Sequence, residues 1–130
     1  IDIFDKVLKI DPTNAVVLHN KGVALDGLEK YEEAIKCYDI ALQIKPNYTK
    51  ALFNKGNAFY GLGRFKESIE FFDKVLKIDP DYTSALNGKG GALGNLGRTK
   101  EAISYFDKVL MQEPSNEYAL TCKGIAIENL

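Results

Sequence analysis

Residues 4–12 read Phe-Asp-Lys-Val-Leu-Lys-Ile-Asp-Pro, and residues 72–80 repeat them letter for letter, an offset of twice 34. The period holds throughout the chain. Pro12, Pro46, Pro80 and Pro114 stand 34 apart, as do Gly22, Gly56, Gly90 and Gly124. Ala24, Ala58, Ala92 and Ala126 keep the same interval, and so do two leucine columns, Leu18, Leu52, Leu86, Leu120 and Leu28, Leu62, Leu96, Leu130. A fixed period of this length is the mark of a repeat architecture, in which each unit buries its apolar face against its neighbours.

Within one period, Leu18, Gly22, Leu25 and Leu28 recur at spacings of four, three and three, and Ile35, Tyr38, Ala41 and Leu42 repeat that rhythm. Two amphipathic helices per period follow from it. Glycines at 61–63 and 94–97 lie between the two helices, where a left-handed residue closes a helix. The proline after the second helix cannot continue it and makes the other corner.

These columns resemble the tetratricopeptide repeat (TPR) family, whose 34-residue unit carries a large apolar residue, glycine, an aromatic, then alanine, phenylalanine and proline at fixed places. In the first complete unit the match falls on Leu18, Gly22, Leu25, Tyr31, Ala34, Tyr38, Ala41 and Pro46. The second gives Leu52, Gly56, Phe59, Phe65, Ser68, Phe72, Val75 and Pro80; the third Leu86, Gly90, Leu93, Thr99, Ala102, Phe106, Val109 and Pro114. Departures are Lys21, Lys55, Lys89 and Lys123 in place of leucine before the glycine, Glu29 at a turn glycine and Thr99 at an aromatic. The resemblance implies an all-α fold, a right-handed superhelical solenoid of antiparallel helix pairs with about eight helices.

The chain divides into a second helix of a truncated repeat at 1–14, complete repeats at 15–48, 49–82 and 83–116, and a first helix of a truncated repeat at 117–130. One consequence is a segment of a longer array. Another is head-to-tail self-association, in which helix 117–130 of one molecule pairs with helix 1–14 of the next.

Composition narrows the functional classes. With 130 residues, 17 Lys and Arg against 18 Asp and Glu and 45% apolar residues, the chain is a folded, nearly neutral domain. That balance gives no reason to expect nucleic acid or an anionic membrane as partner. No apolar run approaches the ~18 residues of a membrane span, and the absence of a secretion signal gives a cytoplasmic expectation.

Candidate chemistry is sparse, so no enzyme, cofactor or metal is expected. His19 is the chain's one histidine, and no sequence cue brings it to Cys37 or Cys122; it reads as an isolated groove residue. The two cysteines lie 85 residues apart without a CxxC, so they read as reduced thiols. The glycine-rich run 88–97 has Gly90 where a P-loop needs Ser or Thr after Gly-Lys, and a GxGxxG begun at Gly88 ends on Leu93. Carboxylates sit four residues before lysines, as in Asp2 and Lys6, Asp5 and Lys9, Glu32 and Lys36, Glu70 and Lys74, and Asp73 and Lys77. They read as pairs along a solvated helix face.

Removing the core columns leaves a second stripe on each first helix. It holds Val16, His19, Asn20, Val23, Asp26 and Gly27 in the first unit, then Lys50, Phe53, Asn54, Asn57, Tyr60 and Gly61 in the second. The third has Ser84, Asn87, Gly88, Gly91, Gly94 and Asn95, and the last helix Tyr118, Thr121, Cys122, Ile125, Glu128 and Asn129. By the resemblance, these helices line the concave side, where partner peptides are held. Asparagine both donates and accepts, so it can satisfy an extended peptide backbone whatever its side chains. Asn20 and Asn54 share a column and are similar to the start of an asparagine ladder, which Gly88 and Cys122 interrupt.

The family's carboxylate clamp for acidic chaperone tails would fall on His19, Val23, Asn54, Ser84 and Gly88 in one frame, which do not carry it. One unit earlier, its last three places hold Asn20, Lys50 and Asn54, without the bidentate arginine. The expected function is a noncatalytic scaffold binding a protein or peptide partner along Asn20, Lys50, Phe53, Asn54, Asn57, Tyr60 and Asn87. The alternative is a structural module for self-assembly or for spacing other domains. Gly88, Gly90, Gly91 and Gly94 make helix 83–96 the softest expected element, with Gly88, Gly91 and Gly94 widening the groove.

Overall fold

A computed structural model describes every residue except Ile1 and Pro12, so the first member of the proline column lies outside the described residues. The described residues form eight α-helices. They are α1 (Asp2–Ile10), α2 (Ala15–Gly27), α3 (Tyr31–Ile44), α4 (Thr49–Gly61), α5 (Phe65–Ile78), α6 (Thr83–Asn95), α7 (Thr99–Gln112) and α8 (Glu117–Glu128). Two compact units divide them, residues 1–63 with α1–α4 and residues 64–130 with α5–α8.

Local chemistry sets the helix ends. Asn14 and Asn116 cap α2 and α8, their side chains accepting from the Val17 and Ala119 N–H groups at 3.1 and 2.9 Å. After α2 the Lys30 N–H returns to the Leu25 carbonyl and the Glu29 N–H to the Asp26 carbonyl, both at 2.9 Å. This double closure needs a left-handed residue. Gly97 supplies it after α6 at φ +80°, whereas after α2 the residue is Glu29 at φ +60°. A side chain therefore stands where glycine fits without strain.

In the first unit, Tyr38 is wholly buried and its ring lies directly on Gly22; a Cβ added there would come within 2.4 Å of Tyr38 Cε1. Leu25, Ala34, Cys37, Ala51 and Ala58 close around that ring. A second group, Ala15, Leu18 and Ala41, packs with the partly buried Leu8 and Tyr48. Small side chains on facing helices bring the backbones close, and the aromatic fills what remains. The second unit repeats the device. Phe106 lies on Gly90, with Leu86, Leu93, Ala102, Val109 and Ala119 around it.

The four lysines that depart from the family pattern follow one rule. Lys21 binds Asp5 and Lys55 binds Asp39 at 2.5 Å; Lys89 binds Asp73 and Lys123 binds Asp107 at 2.6 Å. Each joins a first helix to the second helix before it, so the ladder recurs with the repeat. This revises part of the helix-face expectation: Glu70 does reach Lys74, at 3.9 Å, but Asp5 and Asp73 turn to the next helix instead. Their partners are the better-buried lysines, and Lys89 Nζ also lies 4.5 Å from the Tyr105 ring centre.

Gly88 receives the Phe72 ring, which a Cβ would meet at 2.6 Å, so its missing side chain is filled from α5. Gly94, by contrast, has nothing within 4 Å of such a Cβ. No helix among the described residues is long and apolar enough to cross a membrane.

Candidate functional site

In the first unit the second stripe lies on α2 and α4. Asn20, Lys50 and Asn57 are exposed, and Phe53, Asn54 and Tyr60 are half-buried. The residue that organises this face is His19, which is 7% exposed. Its ring centre stands 5.3 Å from that of Tyr48 and 5.9 Å from that of Tyr38, tilted against both. Its two nitrogens reach the two ladder asparagines. Nδ1 lies 3.3 Å from Asn20 Oδ1, and Nε2 lies 2.7 Å from Asn54 Nδ2.

A neutral imidazole has one donor and one acceptor, and this arrangement uses both. With the proton on Nδ1, the ring donates to Asn20 Oδ1 and its Nε2 accepts from Asn54 Nδ2. Burial lowers the imidazole's proton affinity; the Asn20 bond pulls it back up, and the charge of Lys50 lowers it again. His19 is thus a neutral bridge between α2 and α4.

Behind it, the Tyr38 hydroxyl donates to Asp26 Oδ2 at 2.6 Å. Asp26 Oδ1 is buried and makes no hydrogen bond, and burial raises that carboxyl above the usual range. Burial, with the Asp26 carboxylate next, holds the Tyr38 phenol protonated far into the alkaline range. The pair ties the end of α2 to α3.

Asn87 lies in the second unit on α6. It is 9% exposed, and its Nδ2 approaches Asn116 Oδ1 at 3.4 Å while its own Oδ1 is buried without a partner. Its amide is turned to the start of α8. Tyr118 stands with its ring edge toward Phe106, centres 6.4 Å apart.

Cys37 is buried and burial raises its thiol, away from the reactive thiolate. Among the described residues no cluster of three or more His, Cys, Asp or Glu is placed to hold a metal ion.

Asn20 and Asn54 share one column in the sequence, whereas His19, read there as an isolated groove residue, is in contact with both. The missed signal is positional. His19 precedes Asn20 on α2 in the column that α4 fills with Phe53, so an imidazole stands where a neighbouring helix carries an apolar ring.

Models of the tetratricopeptide repeat match residues 3–36, 49–82 and 83–116, and a TPR repeat model matches residues 28–63. No protein of curated function matches the chain. Among solved structures, the first TPR of Spaghetti (RPAP3), bound to the HSP90 peptide SRMEEVD, is 27% identical with a TM-score of 0.85, covering 91% of this chain and 94% of that one. The second TPR domain of human RPAP3, in complex with the HSP70 peptide SGPTIEEVD, is 26% identical at a TM-score of 0.81, covering 86% and 93%. MamA, at 22% identity, has a TM-score of 0.89 over 96% of this chain and 73% of its own, a likeness of fold.

Proposed function

The chain belongs to the tetratricopeptide repeat family, and from that premise we propose that it is a noncatalytic scaffold that holds an extended peptide segment of a partner protein along the α2–α4 face. The observation that carries this reading is the face itself. Asn20, Asn54 and Asn57 offer amides, Phe53 and Tyr60 offer rings, and Lys50 adds a cation, with His19 bracing Asn20 and Asn54 from below. Side-chain amides suit the backbone of a peptide, and half-buried aromatics anchor its side chains. In the second unit Asn87 holds the corresponding stripe position on α6, with its amide toward Asn116 at the start of α8. Similar TPR domains of RPAP3 were solved with chaperone peptides, which supports a peptide as the ligand class.

Selection from a displayed peptide library tests the proposal. Peptides enriched by the parent chain and lost by the Asn54→Ala, Asn57→Ala, Tyr60→Ala variant, at unchanged helicity, would uphold it. Equal enrichment by both would refute it.

A second reading, self-assembly, has its own observation. Leu120 and Ile127 on α8 are 50% and 53% exposed, while Leu86 and Leu93, their counterparts on α6, are 3% and 1% exposed. Gly124 has nothing within 4 Å of an added Cβ, though Gly22 and Gly90 in its column lie under rings. A head-to-tail contact would lay α1 of another molecule on this face. Light scattering that shows a monomer at every concentration would end this reading.

A further inference from the structure

We propose that His19 sets the hydrogen-bonding polarity of the Asn20–Asn54 pair, so that the pair takes a main-chain amide when the imidazole is neutral and a carboxylate when it is protonated. This deepens the peptide-binding reading and rests on it for the ligand class.

The geometry carries the inference. Both ring nitrogens are engaged, one by each asparagine, and the ring is confined between Tyr38 and Tyr48. Because the neutral ring offers one donor and one acceptor, the two amides must face it with opposite ends. Asn20 presents Oδ1 and Asn54 presents Nδ2. Their remaining ends, Nδ2 of Asn20 and Oδ1 of Asn54, are then one donor and one acceptor. That is the complement of a peptide C=O and N–H. The conclusion survives the other tautomer, since exchanging the tautomer and turning both amides leaves opposite ends free.

Protonation removes this choice. The imidazolium has two N–H donors, so Asn54 must turn its Oδ1 to Nε2, and both NH₂ groups are then free. Two donors beside the Lys50 ammonium fit a carboxylate. In the neutral state, the free Oδ1 of Asn54 opposes one.

Several groups face His19 from the elements packed on it. They are Lys50 on α4, Tyr38 on α3, whose hydroxyl holds Asp26 of α2, and Tyr48 ahead of α4, whose ring lies 5.0 Å from Lys45 Nζ. Lys50 stands beside His19 in both states and so does not by itself distinguish them. Burial places the changeover below the ordinary histidine range.

The test uses the intact chain and two small probes that differ at one group, N-acetylglycine and its N-methylamide. The acid is a model of a peptide C-terminus and stays ionised above about pH 4. Nitrogen-resolved NMR follows the His19 ring and the side-chain NH₂ signals of Asn20 and Asn54 while pH is lowered. Both NH₂ signals should move with the His19 midpoint. Affinity for N-acetylglycine, read at those signals, should rise about tenfold or more across it as an opposing acceptor becomes a donor to a charged group. Affinity for the N-methylamide should fall.

His19→Gln keeps a donor and an acceptor without a titration and should abolish both trends, which also separates them from titration of Asp26. The parent titration decides the matter even if that variant misfolds. Amide signals that ignore the His19 midpoint, or N-acetylglycine affinity equal on its two sides, would overturn the proposal. Failure of the peptide reading looks different: selected peptides would survive the Asn54, Asn57, Tyr60 variant while the two probes still reversed at the His19 midpoint.

Discussion

Gly90→Ala and Gly94→Ala make the same chemical change one turn apart on α6, yet they should move stability in different directions. Replacing a helix-interior glycine by alanine gains about 0.8–1 kcal/mol of propensity. At Gly94 nothing lies within 4 Å of the new Cβ, so the full gain should appear. At Gly90 the new Cβ would stand 2.7 Å from Phe106 Cε1 and 2.8 Å from Cζ. That is roughly 0.8 Å inside a relaxed carbon contact of ~3.5 Å.

Phe106 is 2% exposed and packed with Leu86, Leu93, Ala102, Val109 and Ala119, so the substitution overpacks this cluster. Such strain costs about 1–3 kcal/mol. Set against the propensity gain, Gly90→Ala should lie between neutral and ~2 kcal/mol destabilising, leaving the two variants about 1–3 kcal/mol apart. Urea unfolding followed by helical circular dichroism reads the difference directly. A Gly90→Ala protein as stabilised as Gly94→Ala would refute the seating of Phe106 on that glycine. Gly124→Ala, in the Gly90 column but with an open face, should behave like Gly94→Ala.

Other expectations follow from single contacts. Tyr38→Phe removes the donor to Asp26 Oδ2 beside an already unpartnered Oδ1 and should cost about 1.5–3 kcal/mol; an unchanged urea midpoint would deny that this bond counts. Glu29→Gly should stabilise by about 0.5–1 kcal/mol in the same assay, by releasing a non-glycine residue from φ +60°, and a loss of stability would contradict that strain. A double-mutant cycle with Asp39→Ala and Lys55→Leu should give a coupling of about 0.2–1 kcal/mol that shrinks in high salt, and zero coupling at low salt would show the ladder to be energetically idle. His19 binds its proton less readily folded than unfolded, so stability should fall as pH drops from about 6.5 toward its lower folded value. His19→Gln should flatten that slope, and an equal slope in the variant would assign it elsewhere.

The period made the fold legible, because the glycine and ring columns that pack the paired helices of a repeat recur every 34 residues. Gly22 with Tyr38 and Gly90 with Phe106 show why: the glycine and the ring that fills its place belong to one unit, so a single repeat contains the contact. The lysine ladder was harder to see. Lys89 and Asp73 lie 16 residues apart on different helices, and helical spacing within α5 points Asp73 to the nearer Lys77.

At the site, periodicity separated the stripe from the core but could not report orientation. Asn87 keeps the stripe's register, yet its amide turns toward Asn116, 29 residues on. Gly88 read as open space because a missing side chain does not say which neighbour enters, and Phe72 does. His19 looked solitary because its partners, Tyr38, Tyr48 and Asn54, arrive from the next two helices and the loop between them.

The ladder of lysines has a consequence for how such a chain can change length. Each of the four junctions carries the same lock, an aspartate on the outgoing helix and a lysine on the incoming one. Excising residues 49–82 would carry Asp39 to Lys89 in place of Lys55, a substitution of like for like. A duplicated unit would likewise find a matching key on both sides. Units are in that sense interchangeable cassettes, and gain or loss of whole 34-residue blocks leaves every remaining junction with its pair.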